Sequence, residues 1–433
     1  MALPRSGWRA AIVSLELHQF RWILGSNMAF FFAMNGQFLV RSVLAYELTD
    51  SAFALGLVNL AVALPMLLIS PFGGVVADRV EKRRLIMVGQ SLLLLNEVLV
   101  FILLVTGYLA FWHLCVAAFA MGCLFPFIMP ARQSIVVNIV GRRGLANAMA
   151  LQMGGMNAAR VVAPVTAGLV IAFLGVRWMY AVAVLLYLIA LSAMSRVDRS
   201  PPSPRLEKKS VLGDLMDGVR YVRSDPPVRV LLLLSMVPII FAMPFQMLLV
   251  VFSSDVWHRG TTGLGLLQAA AGLGGILGSA FVAWRGESPR KLRMMMVSLL
   301  AFGGTLFLFA ISPWFLLALP LVLLADIFAS TFNTINGTAI QVLIPDEVRG
   351  RVMSLMMMTF GLTPLGTLPV AAAAEAWGAP AAVAGAAVLM TAISLVFYFL
   401  SPALRGIDET SRDALRRDLE EPLRVSEPAA APS

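Results

Sequence analysis

Charge is what this sequence has least of. Only 13% of its 433 residues are Asp, Glu, Lys or Arg, while 59% are hydrophobic. A soluble domain is nearer a quarter charged, so the composition excludes a soluble enzyme and a disordered regulator. Cysteine is scarce too. Cys115 and Cys123 are the only two, both inside one apolar stretch, which excludes a disulfide framework and any zinc-type spacing. Three histidines, His18, His113 and His258, are too scattered for a metal cluster. No Gly-Lys-Ser phosphate loop is present, so ATP is not the direct energy source of this chain. No paired aspartates, HExxH or Ser/His constellation falls in the apolar stretches, and the sequence predicts neither an enzyme nor a bound cofactor.

What the chain has is long apolar runs. A membrane helix needs roughly 20 apolar residues, and twelve such stretches can be read: 22–46, 55–76, 85–107, 111–130, 146–173, 178–196, 229–252, 263–284, 293–311, 314–338, 352–375 and 380–400. They lack the alternation of barrel strands, so they are predicted helices. No short apolar leader with a cleavage site precedes the first, which is expected to stay as span 1. The net charge of +9 is explained by its placement. With the N-terminus inside, 29 basic residues fall on one side, only Arg177 and Arg259 on the other, and Arg41 and Arg160 within spans. The excess predicts both termini in the cytoplasm and accounts for the charge without nucleic acid.

The predicted organisation is an N-terminal segment 1–21, a six-helix half 22–196, a cytoplasmic linker 197–228, a second six-helix half 229–400, and a partly disordered cytoplasmic tail 401–433. Pro201, Pro202 and Pro204 open the linker. Ser210 then reads as an N-cap for an amphipathic helix carrying Val211, Leu215, Val219 and Val222 on one face. The halves resemble weak repeats: Gln133 precedes Arg142 and Arg143 after span 4, and Gln341 precedes Arg349 and Arg351 after span 10. Parallel six-helix repeats with a midplane site between them are one architecture of secondary transporters.

The loop after span 2 runs from Gly74 through Asp78, Arg79, Lys82, Arg83 and Arg84. It resembles the Gly-x-x-x-Asp-Arg-x-x-basic-basic loop of the major facilitator superfamily. The resemblance implies that family's all-α fold of twelve membrane helices in two pseudo-repeats. It also implies a cytoplasmic gate of Asp78 with its basic neighbours. Glu81 departs from the usual Gly, and no matching Asp exists in Gly278–Val282. Three further segments resemble the enterobactin-exporter-like branch: Tyr46–Ser51; Pro130–Gln133 with Leu145–Ala148 and Asn157–Pro164; and Pro345–Leu355 with Pro364–Gly366. Span 5 keeps Pro164 and Gly168 of the exporters' motif, with Ala159, Ala163 and Ala167 at its other small positions. That supports efflux, and it also suits a plain packing face.

Ionisable residues in spans are functional candidates by default. Asp326 shares a stripe with Ser330, Asn333 and Gly337. The family's cavity is lined by spans 1, 4, 7 and 10, which makes Asp326 the candidate proton carrier; its alternative is a structural partner for a buried cation. Arg41, one turn beyond Gln37, could hold an anionic substrate group, pair with Asp326, or snorkel to the outer interface. Arg160 belongs either to the transport mechanism or to a structural ion pair. Glu97, beside Asn96, reads as a buried pair rather than a proton site. Gln246 and Gln268 are candidate cavity groups or helix bridges. Met353, Met356, Met357 and Met358, and Phe30–Phe32, read as packing.

The expectation is a monomeric, multi-pass transporter of a bacterial cytoplasmic membrane. It would exchange protons for export of a drug-like or siderophore-like molecule. A proton-coupled uptake symporter and a non-transporting sensor on the same scaffold are the alternatives.

Overall fold

The apolar stretches form helices because lipid offers no partner for a backbone N–H or C=O. The computed structural model describes residues 13–200, 211–285, 291–344, 348, 352, 355–356, 358–359 and 361–408. In chain order the helices are α1 His18–Thr49, α2 Ala52–Arg79, α3 Lys82–Thr106, α4 Phe111–Leu174, α5 Val176–Ser195, α6 Val211–Ser224, α7 Pro226–Phe241, α8 Phe245–Val251, α9 Gly260–Arg285, α10 Lys291–Ala310, α11 Phe315–Leu343, α12 Pro364–Trp377 and α13 Ala379–Leu400.

Among the described residues, eleven helical segments are long and apolar enough to cross a membrane. The stretch 352–375 lies partly outside the described residues, and its described end is α12. Side chains such as Leu68, Leu95 and Trp284 point outward with more than half of their surface exposed, which lipid would cover.

The separate spans 4 and 5 expected from the sequence are one continuous helical assignment, α4. The chain nevertheless doubles back inside it. Arg132 hydrogen-bonds Asn27, and the Met28 side chain lies over Gly155. A straight helix would hold residues 132 and 155 about 35 Å apart at 1.5 Å per residue, yet Asn27 and Met28 are neighbours. Two antiparallel spans, Phe111–Val140 and Asn147–Leu174, therefore share the label.

The N-terminal helices α1–α5 pack on one another, as do α7–α13. The two groups meet where α4 lies against α9 and where α2 lies against α12. Gly168 and Gly265 let α4 and α9 approach this closely: a Cβ at Gly168 would stand 2.8 Å from the Thr261 carbonyl oxygen and 3.1 Å from the Gly265 Cα. In lipid such backbone proximity replaces hydrophobic drive as the source of helix association.

α7 and α8 are one span broken in its middle. Pro238 lies inside α7 and Pro244 precedes α8. The turn between them is closed by Met243 N–H to the Pro238 carbonyl (2.8 Å) and Gln246 N–H to the Met243 carbonyl (3.1 Å). Proline removes a helical donor and crowds the preceding turn, which accounts for the break.

Candidate functional site

The break in α7–α8 delivers Gln246 to a cavity between the two helix groups. A small chamber of about 80 Å³ is lined by Asn35, Phe38, Arg160, Gln246 and Gln268, with Pro164 and Gly272 behind them. Asn35 and Phe38 also line an adjoining chamber of about 330 Å³. Its walls are apolar: Met34, Met66, Met121, Met247 and Phe125, with Leu55, Val58 and Val62. Its polar lining is Arg41, Ser42, Asn35 and Asn59. The cavity thus has a polar end and an apolar end that meet at Asn35 and Phe38.

Arg160 projects into the polar end. Its side chain is exposed, and among the described residues it makes no hydrogen bond or ion pair. It stands beside α9, where a Cβ at Gly275 would lie 3.9 Å from its Nη1. Asp326 is not itself a wall of either chamber. It is 5% exposed and lies where α11 is pressed against α9: a Cβ at Gly274 would stand 2.9 Å from the Asp326 Cβ. One of its carboxyl oxygens, Oδ2, has no hydrogen-bond partner. The expected stripe divides here. Asp326 and Ser330 face α9, with the Ser330 hydroxyl donating to the Gly275 carbonyl at 2.8 Å, whereas Asn333 is exposed. Asp326 thus sits behind the cavity wall, because α9 carries glycine at 274, 275 and 278 and lets α11 close over it.

Arg41 has a different partner from the Asp326 considered above. It forms a buried ion pair with Glu97 of α3, and its second nitrogen donates to the Met121 sulfur at 3.1 Å. At 5% exposure it does not snorkel to an interface. Desolvating a lone guanidinium is costly, so the nearest carboxylate of its own helix group claims it. Gln37, one turn away, is buried with both amide atoms unpartnered and lines neither chamber.

Arg132, counted above among the loop cations, is fully buried. It hydrogen-bonds Asn27 and stacks over the Phe30 ring at 4.1 Å. Planar guanidinium on an aromatic face is favourable where water is absent.

Of the gate motif, Gly74 and Asp78 fall within α2, the Asp78 side chain lies outside what is described, and Arg349 and Arg351 lie outside the described residues. Arg79 is exposed, and Lys82 is buried with its backbone N–H on the Ser200 carbonyl at 3.1 Å. Arg83 donates to the Ser195 carbonyl at 2.6 Å. Glu81 has a role that its mismatch to the family pattern did not reveal. It caps α3 by accepting from the Arg83 and Arg84 N–H groups at 3.1 and 3.0 Å, and it accepts from Ser200 N–H at 3.0 Å. An acidic residue just before an apolar helix was the available signal.

Tyr46 and Ser51, noted above only as part of a family-like segment, have partners that the sequence did not indicate. Tyr46 donates to Asp255, Ser51 donates to Glu375 at 3.0 Å, and Phe53 N–H donates to the same carboxylate at 3.2 Å. These three bonds join the two helix groups at the end of the bundle opposite the basic loop after α2.

Comparison with known proteins gives a consistent picture. A family profile described as "Transmembrane secretion effector" matches residues 10–427. The multidrug efflux pump Tap of Mycolicibacterium fortuitum is 27% identical over 85% of this chain and 92% of its own. The staphyloferrin A transporter of Staphylococcus aureus is 24% identical over 82% and 89%. The enterobactin exporter EntS of Escherichia coli is 26% identical over 65% and 67%. Among solved structures, a peptide transporter in complex with sulfate superposes with TM-score 0.73 at 12% identity, covering 94% of this chain and 97% of that one. The nucleoside transporter NupG gives 0.71 at 12% identity, covering 88% and 99%. These last two speak for the fold alone.

Proposed function

The chain belongs to the transmembrane secretion effector family of the major facilitator superfamily, and from that premise we propose that it exports a small organic molecule across a bacterial cytoplasmic membrane in exchange for protons. The reading rests on Arg160, a cavity-facing cation of one helix group, and Asp326, a buried carboxylate of the other, which stand beside the adjacent residues Gly275 and Gly274 of α9. Protonating Asp326 removes the charge that attracts Arg160 across the interface of α4 with α9 and α11. Proton binding is thereby converted into a change in how strongly the halves hold each other, which is what an alternating-access cycle needs.

The relatives named for efflux or export of drugs and siderophores favour outward transport of a drug-like or siderophore-like molecule. The three bonds of Tyr46, Ser51 and Phe53 to Asp255 and Glu375 are the outer closure in this reading, with both termini and the basic loops in the cytoplasm. The substrate then enters from the cytoplasmic side, and a monomer suffices because both halves of the cavity come from one chain.

The test is accumulation of a dye, drug and siderophore panel in efflux-deficient cells with and without the protein, with an uncoupler as control. Export driven by the proton gradient lowers accumulation, and the uncoupler restores it. Raised accumulation would mean uptake, and lowered accumulation that ignores the uncoupler would remove the proton from the mechanism.

A further inference from the structure

The transport reading leaves the chemistry of the substrate open, and the cavity constrains it. We propose that the two chambers take an uncharged aromatic amphiphile, its apolar body among the methionines and its hydrogen-bond acceptors at the amide–Arg160 end; this rests on the cavity being the transport site.

The apolar chamber, about 330 Å³, holds a body of two or three fused rings. Met34, Met66, Met121 and Met247 supply polarizable, unbranched walls, which contact aromatic rings favourably and adapt to their outline. The neighbouring chamber offers donors: the Gln246 and Gln268 amides and the Arg160 guanidinium. Among the described residues, none of Arg160's five N–H groups is committed to a hydrogen bond. Carbonyl, ether or hydroxyl oxygens at one end of a ligand satisfy that set.

The charge of the ligand follows from the charges already there. Arg41 is matched by Glu97, and Arg160 and Asp326 stand beside adjacent residues of α9, Gly275 and Gly274. With Asp326 ionised, the cavity has no net charge to offer. A cation or an anion would lose its hydration without an opposite charge in return, a cost that grows steeply out of water. An uncharged molecule loses only what its hydrogen bonds regain. Arg160 can serve the ionised Asp326 and a neutral acceptor together, so such a ligand is compatible with proton exchange.

The experiment uses purified full-length protein in detergent, with no gradient, at a pH where export is measured. The probes are 6-propionyl-2-dimethylaminonaphthalene (an uncharged ketone), its ketone-free parent 2-dimethylaminonaphthalene, the anion 1-anilinonaphthalene-8-sulfonate, and the cation ethidium. The ketone is expected to bind at least about tenfold more tightly than either ion. Equal or tighter binding of an ion overturns the proposal. Asn59→Asp places an unmatched negative charge on the cavity wall at nearly constant shape. It should reverse the order, ethidium gaining about tenfold while the ketone weakens; an unchanged order overturns the proposal. Should that variant not fold, Gln268→Leu serves: it should weaken the ketone toward its ketone-free parent and leave the parent unchanged, and equal effects on both overturn it. Binding is read without transport, so absence of export with this pattern intact sinks the export reading alone. Export of a charged molecule through the same cavity sinks this one alone.

Discussion

Arg41 and Glu97, fifty-six residues apart, form a buried ion pair that fastens α1 to α3 beside the apolar chamber. Two further atoms of the pair, Arg41 Nε and Glu97 Oε2, have no partner. A pair so enclosed contributes to specificity of packing more than to stability, because desolvation offsets much of the attraction.

Removing one partner is therefore the damaging change. Glu97→Leu strands a buried guanidinium and should cost about 3–5 kcal/mol. The double variant Arg41→Met, Glu97→Leu should recover most of that loss. Thermal melting of the purified protein checks both, and a double variant no more stable than the single one would show that the pair is not an isolated unit.

Asp326→Asn keeps the volume of the side chain and removes its charge. Uphill export should be abolished while the amount of protein in the membrane stays constant. Arg160→Gln should lose export as well, with the double variant no worse than either single one, because both act through one interaction. Efflux from preloaded cells is the measurement, and full export by Asp326→Asn would take this carboxylate out of the mechanism.

The bonds to Asp255 and Glu375 join the two helix groups at one end of the bundle, and in the proposed cycle they are the outer closure. Glu375→Gln combined with Tyr46→Phe should raise the fraction of molecules open on that side. With Cys115 and Cys123 replaced, a cysteine at Asn35 should then react several-fold faster with a membrane-impermeant maleimide in intact cells, since each lost hydrogen bond to a charged group is worth about 1.5–3 kcal/mol. Unchanged labelling would mean that the closure is held by helix packing instead.

Gly168→Ala adds one methyl group where the Thr261 carbonyl stands 2.8 Å away. The backbone there cannot yield as a side chain could, so a loss of about 1–3 kcal/mol is expected. Gly154→Ala has open space around its new methyl and should be neutral or slightly stabilising, as alanine is the better helix former. Melting temperatures of the two variants, side by side, test the reading of the α4–α9 contact.

The helices were legible because their cause is local. A run of twenty apolar residues has one stable form in lipid, whatever surrounds it. The break in the stretch 229–252 was not read from the sequence, although Pro238 and Pro244 were the available signal. Arg160, Gln246 and Gln268 were recognised as polar residues in apolar surroundings, and they do share one chamber. Partners were another matter. Nothing in the sequence tells Arg41 to choose Glu97 over Asp326, since either lies within a span and the choice depends on α4 and α5, which pack against both α1 and α3. Arg132 looked like a loop cation because it follows Pro130, yet Phe30 and Asn27 enclose it.

By itself, then, the sequence determined what the chain is made of and where it can reside: apolar helices with too few charges for water, basic residues placed mostly between the apolar runs, and a handful of ionisable groups that lipid would not tolerate alone. Only the tertiary structure decided which of those groups meet. Glycines at 168, 265 and 274 let backbones approach, and that approach sets Asp326 behind a wall and leaves Arg160 in the cavity, while the packing of α1 and α3 on α4 and α5 gives Arg41 to Glu97. Helix formation is settled within a few residues of chain, whereas charge pairing is settled by distances across helices, which no local pattern encodes.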